Sequence, residues 1–140
     1  MNTSLKEAQQ EIVDEFAMLG DWQDRYEHLI ELGKELPLIA PELKTDENLV
    51  RGCQSRVWLT AEDRGEAIHF TADSDAMITK GIVALLVRVL NDRTPEEIMG
   101  TPLTFIDAIG LREHLSPNRS NGLVAMLDQM KRYALVYSSK

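Results

Sequence analysis

Apolar side chains return every three or four residues over the first third of the chain. Leu5, Ala8, Ile12, Phe16 and Leu19 do so between Ser4 and Gly20, which predicts an amphipathic helix with a serine cap and a glycine stop. A second helix is predicted from Asp21, whose carboxylate can accept from the early helical amides. Trp22, Tyr26, Leu29, Ile30 and Leu36 share one side of it, and Pro37 closes it. Residues 37–48 hold two prolines, mixed charges and no sustained period, so they predict an ordered surface loop whose length hints at function.

The period then shortens. Val57-Trp58-Leu59-Thr60 and Ala67-Ile68-His69-Phe70-Thr71 are rich in β-branched and aromatic residues, and Asp63-Arg64-Gly65-Glu66 supplies turn chemistry between them. Together they predict an antiparallel hairpin, with His69 facing outward between Ile68 and Phe70. Leu49-Val50 is expected to add a third short strand, placing Cys53 in the connection between two strands. Asp73-Ser74-Asp75 offers N-cap oxygens to a helix that starts at Ala76 and is apolar on nearly every face up to Leu90, hence central and buried. Thr94-Pro95-Glu96-Glu97 combines a capping threonine, proline at the first helical position and glutamate at the third, a short helix ending at Gly100. Residues 102–109 predict another turn or two of helix, ended by Gly110. Ser116-Pro117 opens the last helix, with Leu123, Met126, Leu127, Met130, Ala134 and Tyr137 inward. Met77 and Met99 are likewise expected to pack at apolar positions. The expected class is α+β, a small antiparallel sheet packed against several helices, in a single domain over residues 1–140.

Composition narrows the functions. An apolar fraction of 44% with 27% charged residues excludes a disordered or fibrous chain. A net charge of −8 argues against nucleic acid, whose phosphates are bound by excess Lys and Arg, and favours a partner bearing a basic patch. The most apolar run, residues 81–90, is too short to cross a bilayer, so no membrane partner is expected. The first residues lack the charged and apolar regions of a signal peptide, and a cytoplasmic location is expected.

Cys53 is the sole cysteine, set in Arg51-Gly52-Cys53-Gln54-Ser55-Arg56. It cannot close an intramolecular disulfide, so sulfur chemistry here must pass between this molecule and another. Arg51 and Arg56 would favour the thiolate that attacks sulfur, carbonyl or metal, and Gly52 frees the backbone to present it. The plain alternative, a small buried apolar residue, fits poorly with polar, cationic, glycine-adjacent surroundings. His28, His69 and His114 are too scattered for a metal site, and no metal is expected. No oxyanion hole or nucleophile motif accompanies Cys53, and glycine-rich phosphate loops are absent. Asp73, Asp75 and Lys80 have a structural use as cap and helix-surface residues, or form a recognition edge. Arg119 carries more cation chemistry than a helix start requires.

Gly52-Cys53-Gln54-Ser55-Arg56-Val57-Trp58 strongly resembles the cysteine motif of the SufE/CsdE family, the sulfur-acceptor proteins of iron–sulfur cluster assembly. Also similar are residues 22–36 with Ile30-Glu31-Leu32-Gly33, Asp73-Ser74-Asp75-Ala76 followed by Lys80-Gly81, and the block at residues 115–123. The resemblance implies a fold shared with IscU-type scaffolds, no cofactor of its own, and two partners. These are a pyridoxal-phosphate cysteine desulfurase of the SufS or CsdA kind and a downstream iron–sulfur scaffold. It implies that Cys53 takes persulfide sulfur from the desulfurase and passes it on, a thiol–disulfide exchange in physical terms. Gly52 and Gln54 are assigned to loop geometry, Arg51 and Arg56 to thiolate support, and Asp75 and Arg119 to loop support or partner contact. The apolar setting of the family's loop implies a shielded sulfur, exposed when a partner docks. Burial would raise the cysteine pKa and the arginines would lower it, and the sequence alone sets no winner. Two rivals stay open: an IscU-like cluster scaffold, although clusters usually take four ligands, and a regulator of a desulfurase that accepts no sulfur. Self-association into a homodimer is left open.

Overall fold

Ser4 caps the first helix by accepting from the Glu7 amide at 3.1 Å, and Asp21 caps the second by accepting from Asp24 at 3.0 Å. The computed structural model describes residues 4–37, 39–53 and 55–138. Its elements run α1 (Leu5–Ala17), α2 (Trp22–Glu35), β1 (Val57–Arg64), β2 (Ala67–Ser74), α3 (Met77–Leu90), α4 (Pro95–Gly100), α5 (Phe105–Ala108), α6 (Leu111–His114) and α7 (Pro117–Ser138). The class is α+β. Each helix lays its apolar stripe on a shared core, and burial of these side chains is the main favourable term in folding.

β1 and β2 pair antiparallel from Val57↔Ser74 to Arg64↔Ala67, with Gly65 at φ +83° starting the two-residue connection. Val57 and Leu59 of β1 and Ile68, Phe70 and Ala72 of β2 are buried, as alternation demands. His69 on the other face is half-buried and pairs with Asp92 at 3.0 Å. The third strand does not form. Leu49 makes only an isolated bridge to Trp58, and the Val50 amide donates to the Val57 carbonyl at 2.8 Å before the chain turns at Arg51-Gly52. Gly52 has φ +95°, which ends the ladder after that pair.

α3 is the central helix, and eight of its residues from Gly81 to Leu90 are buried. It packs most closely on α2, and two glycines allow it. A side-chain carbon at Gly81 would lie 2.1 Å from the Leu29 carbonyl oxygen, and one at Gly33 would lie 3.0 Å from the Gly81 amide nitrogen. The cap of α3 differs from expectation. Ala76, whose side chain cannot cap, occupies the N-cap, and of the three expected cap residues Ser74, at the end of β2, serves the helix start: its Oγ accepts from the Ala76 amide at 3.2 Å. Asp73 is instead a buried carboxylate bound by Lys44 at 2.9 Å and Lys80 at 3.1 Å. Burial alone would raise its pKa, but hydrogen bonds from Lys44, the Ser74 amide and Lys80 outweigh that and hold it below the usual value. Lys44 also lies 5.3 Å over the Trp58 ring. The segment before the cysteine is thus tied to the hairpin and α3, and it contains two 3-10 turns, Pro41–Leu43 and Asp46–Asn48.

α4 starts with the expected capping box, Thr94 and Glu97 exchanging hydrogen bonds at 3.1 Å each. After α5, Gly110 at φ +71° admits α6, a turn the sequence pattern did not announce. Met126 and Met130 are buried, whereas Met77 (62% exposed) and Met99 (38%) are not; packing does not account for those two.

Candidate functional site

Cys53 follows the Arg51-Gly52 turn and is half-buried. On one side it meets α7: its Sγ donates to the Gly122 carbonyl at 3.6 Å, and a side-chain carbon at Gly122 would sit 3.5 Å from that sulfur. That is an ordinary van der Waals distance, so the last helix lies in direct contact with the loop at this position. On the other side Cys53 opens onto a half-enclosed cavity of about 290 Å³ between α3 and α7. Ile82, Val83, Leu123 and Met126 make its apolar wall; Ser55, Thr79, Ser116 and Arg119 are its polar lining. Cys53 also borders a second, more open hollow, lined by Arg51, Gly52, Ser55 and Arg56 with Asp46.

Burial pushes the Cys53 thiol above its ordinary pKa, so the free protein holds SH rather than S⁻ at neutral pH. The Gly122 carbonyl matches that state, being an acceptor that a thiolate cannot use. Of the two opposing influences that the sequence left undecided, burial prevails over the flanking arginines in this conformation. Both side chains are exposed, where water and salt screen them, and burial is the cause that acts on the sulfur.

The predicted site residues fall into groups. Arg51, Gly52 and Arg56 flank the sulfur on the loop. Asp75 holds the loop's far end: its Oδ1 accepts from the Arg56 amide at 3.0 Å, and its own amide donates to the Arg56 carbonyl at 3.2 Å. Arg119 shares the inner cavity with Cys53, reached from the first turn of α7, where Ser116 Oγ accepts from the Arg119 amide at 3.3 Å. Gln54 lies outside the described residues. Sequence reasoning missed Thr79, Ser55 and Gly122 as cavity residues. A signal existed for the first two: Thr79 precedes the Lys80-Gly81 pair, and Ser55 lies in the cysteine motif. Nothing in the spacing placed them together. Among the described residues no His, Cys, Asp and Glu group is arranged to hold a metal ion.

The SufE family, described as an Fe-S metabolism associated domain, matches residues 10–134. This chain belongs to the SufE family. Its relatives include an uncharacterised SufE-like protein of Rhizobium meliloti (strain 1021), 41% identical over 129 residues, which covers 89% of this chain and 92% of that one. The sulfur acceptor protein CsdE of Escherichia coli (strain K12) is 41% identical over 114 residues, 79% of this chain and 77% of its own length. A solution structure of a hypothetical protein from Thermus thermophilus superimposes with a TM-score of 0.78 over 95% of this chain and 97% of that one. At 22% identity it shares the SufE chain's fold and speaks to nothing further. No helix among the described residues is long and apolar enough to cross a membrane.

Proposed function

We propose that this SufE-family chain is a sulfur acceptor and activator for a pyridoxal-phosphate cysteine desulfurase of the SufS or CsdA type, working as one domain in the cytoplasm and supplying sulfur for iron–sulfur cluster assembly. The observation that carries the reading is the sole cysteine, protonated and half-buried at a turn, beside a cavity with space for added sulfur. Cys53 loses its proton and its thiolate attacks the outer sulfur of the partner's persulfide. The partner's S–S bond breaks, its cysteine leaves as thiolate with the bonding pair and takes up a proton, and a new S–S bond forms on Cys53. Sulfur changes hands with no net oxidation.

A buried, protonated sulfur is a poor nucleophile, so the loop must open for the exchange. Among the described residues, opening breaks the Gly122 carbonyl bond, the Asp75 hydrogen bonds at the loop's end and the packing of Cys53 against the core. Once the sulfur leaves its apolar wall, Arg51 and Arg56 remain beside it to favour the thiolate, while Asp75 and Arg119 serve loop support or partner contact.

Intact mass spectrometry after incubation with desulfurase and cysteine tests the role. The expected product carries one added sulfur on Cys53, removed by a reducing thiol, and Cys53→Ser carries none. If Cys53→Ser stimulates the desulfurase as well as the unmodified protein does, transfer through Cys53 is wrong and the regulatory reading stands.

A further inference from the structure

The cavity beside Cys53 contains more hydrogen-bonding capacity than a thiol can use. Among the described residues the Cys53 Sγ makes one hydrogen bond, to the Gly122 carbonyl. Ser55 and Thr79 line the same space, and neither hydroxyl is committed to a hydrogen bond with another described residue. Arg119 lines it from α7, and its guanidinium enters no ion pair among the described residues. Resting on the acceptor role above, we propose that this cavity is built to hold the persulfide anion of Cys53, with the Thr79 and Ser55 hydroxyls and the Arg119 guanidinium as its donors.

The resting sulfur is denied charge while the added one is offered it. A persulfide places its outer sulfur one S–S bond, about 2 Å, beyond Sγ. That sulfur is the more acidic one, because the charge it carries is shared with a second sulfur. In the cavity it meets the half-buried Ser55 and Thr79 hydroxyls, which stabilise an anion more than water-exposed donors do, while Arg119, exposed at the cavity, adds a positive charge that solvent partly screens. The raised pKa of Cys53 agrees with this division, since the wall next to Sγ is apolar and carbonyl-bearing. The remaining ionisable groups near the site are engaged or lie outside the cavity. Lys80, next to Thr79, is bound by Asp73, and Asp75 is occupied by the Arg56 amide. Arg51, Arg56 and Asp46 line the second hollow. Preference for the anion would draw sulfur from donor to Cys53 and keep it there until a thiol acceptor docks.

The test loads the full chain with sulfur from a low-mass alkyl persulfide, without desulfurase, and follows the near-ultraviolet persulfide band against pH. Thr79→Val and Arg119→Met are each expected to raise the midpoint of persulfide ionisation by about one pH unit, a tenfold weaker ionisation, as for one lost hydrogen bond to an anion. Thr79→Ser and Arg119→Lys are expected to restore it. The ionisation of the unloaded thiol, read by alkylation, should move by much less in all four. Equal midpoints in Thr79→Val, Arg119→Met and the unmodified protein overturn the proposal. So does failure of the folded chain to take sulfur from the small donor. Failure to take sulfur from a desulfurase, with these midpoints shifted as expected, would instead overturn the acceptor role and leave the cavity assignment standing.

Discussion

The two faces of α3 do opposite things. On the face toward α2, Gly81 and Gly33 bring backbone against backbone, and a carbon at Gly81 would overlap the Leu29 carbonyl at 2.1 Å. On the face toward α7, Thr79, Ile82 and Val83 border a cavity of about 290 Å³. One helix is therefore closed tightly on one side and kept open on the other, barely a turn apart. A rigid wall is needed to define a pocket, and an unfilled wall is needed for a sulfur to enter and a loop to leave. The contrast shows where stability and chemistry are separated: close packing holds the helix, and replaceable polar contacts hold the cysteine loop.

Four substitutions probe that separation, beginning with the most costly. Gly81→Ala should destabilise the fold by about 3 kcal/mol or more, since the obstacle is backbone and cannot swing aside. Denaturant unfolding measures it, and a cost below about 1 kcal/mol would mean that the α2–α3 contact is not closed as described.

Asp73→Asn should cost about 2 kcal/mol at neutral pH, by removing a buried carboxylate from Lys44 and Lys80. The sign with pH follows from its lowered pKa. Its contribution is complete above the unfolded-state aspartate value and is lost as pH falls through the lower folded-state value. The unmodified protein should therefore lose stability more steeply than Asp73→Asn on acidification, and parallel acid-unfolding curves would contradict the assignment.

Gly52→Ala should cost about 1 kcal/mol, from φ +95° and a 3.3 Å approach to the Ala125 Cβ. Because the strain falls on the loop itself, sulfur uptake should suffer more than stability, and mass spectrometry beside thermal melting separates the two. Asp75→Ala should cost less than about 1 kcal/mol yet speed alkylation of Cys53, because the Arg56 amide loses its acceptor at the loop's end. Unchanged alkylation would show that the loop is held elsewhere. Alkylation of the unmodified protein should also accelerate as pH rises beyond the ordinary thiol range, as a pKa raised by burial requires.

Local signals in the sequence were read well where the interaction itself is local. The Ser4 and Asp21 caps, the Thr94–Glu97 capping box and the alternation of Val57, Leu59, Ile68 and Phe70 all involve residues within a turn or along one strand. The misread features depend on what lies across the fold. Asp73-Ser74-Asp75 has the composition of a helix cap, but only the Ser74 hydroxyl turns to the start of α3; Lys44 and Lys80 claim Asp73, and the Arg56 amide claims Asp75. Leu49-Val50 has strand composition, but Gly52 turns the chain after one bridge. Met77 and Met99 follow the apolar pattern and are still exposed, since a pattern cannot say where a helix end runs past its neighbours.

The sequence by itself determined that one cysteine must do any sulfur chemistry with another molecule, and it carried the family motifs around that residue and the helices and hairpin that frame it. Only the tertiary structure decided that Cys53 rests as a protonated thiol, because a pKa depends on burial and on groups brought near by folding, here α7 and its Gly122 carbonyl. The cavity was likewise decided by the fold. Thr79 and Arg119 stand forty positions apart along the chain and share a wall through the packing of α3 and α7, a long-range arrangement that no local period encodes.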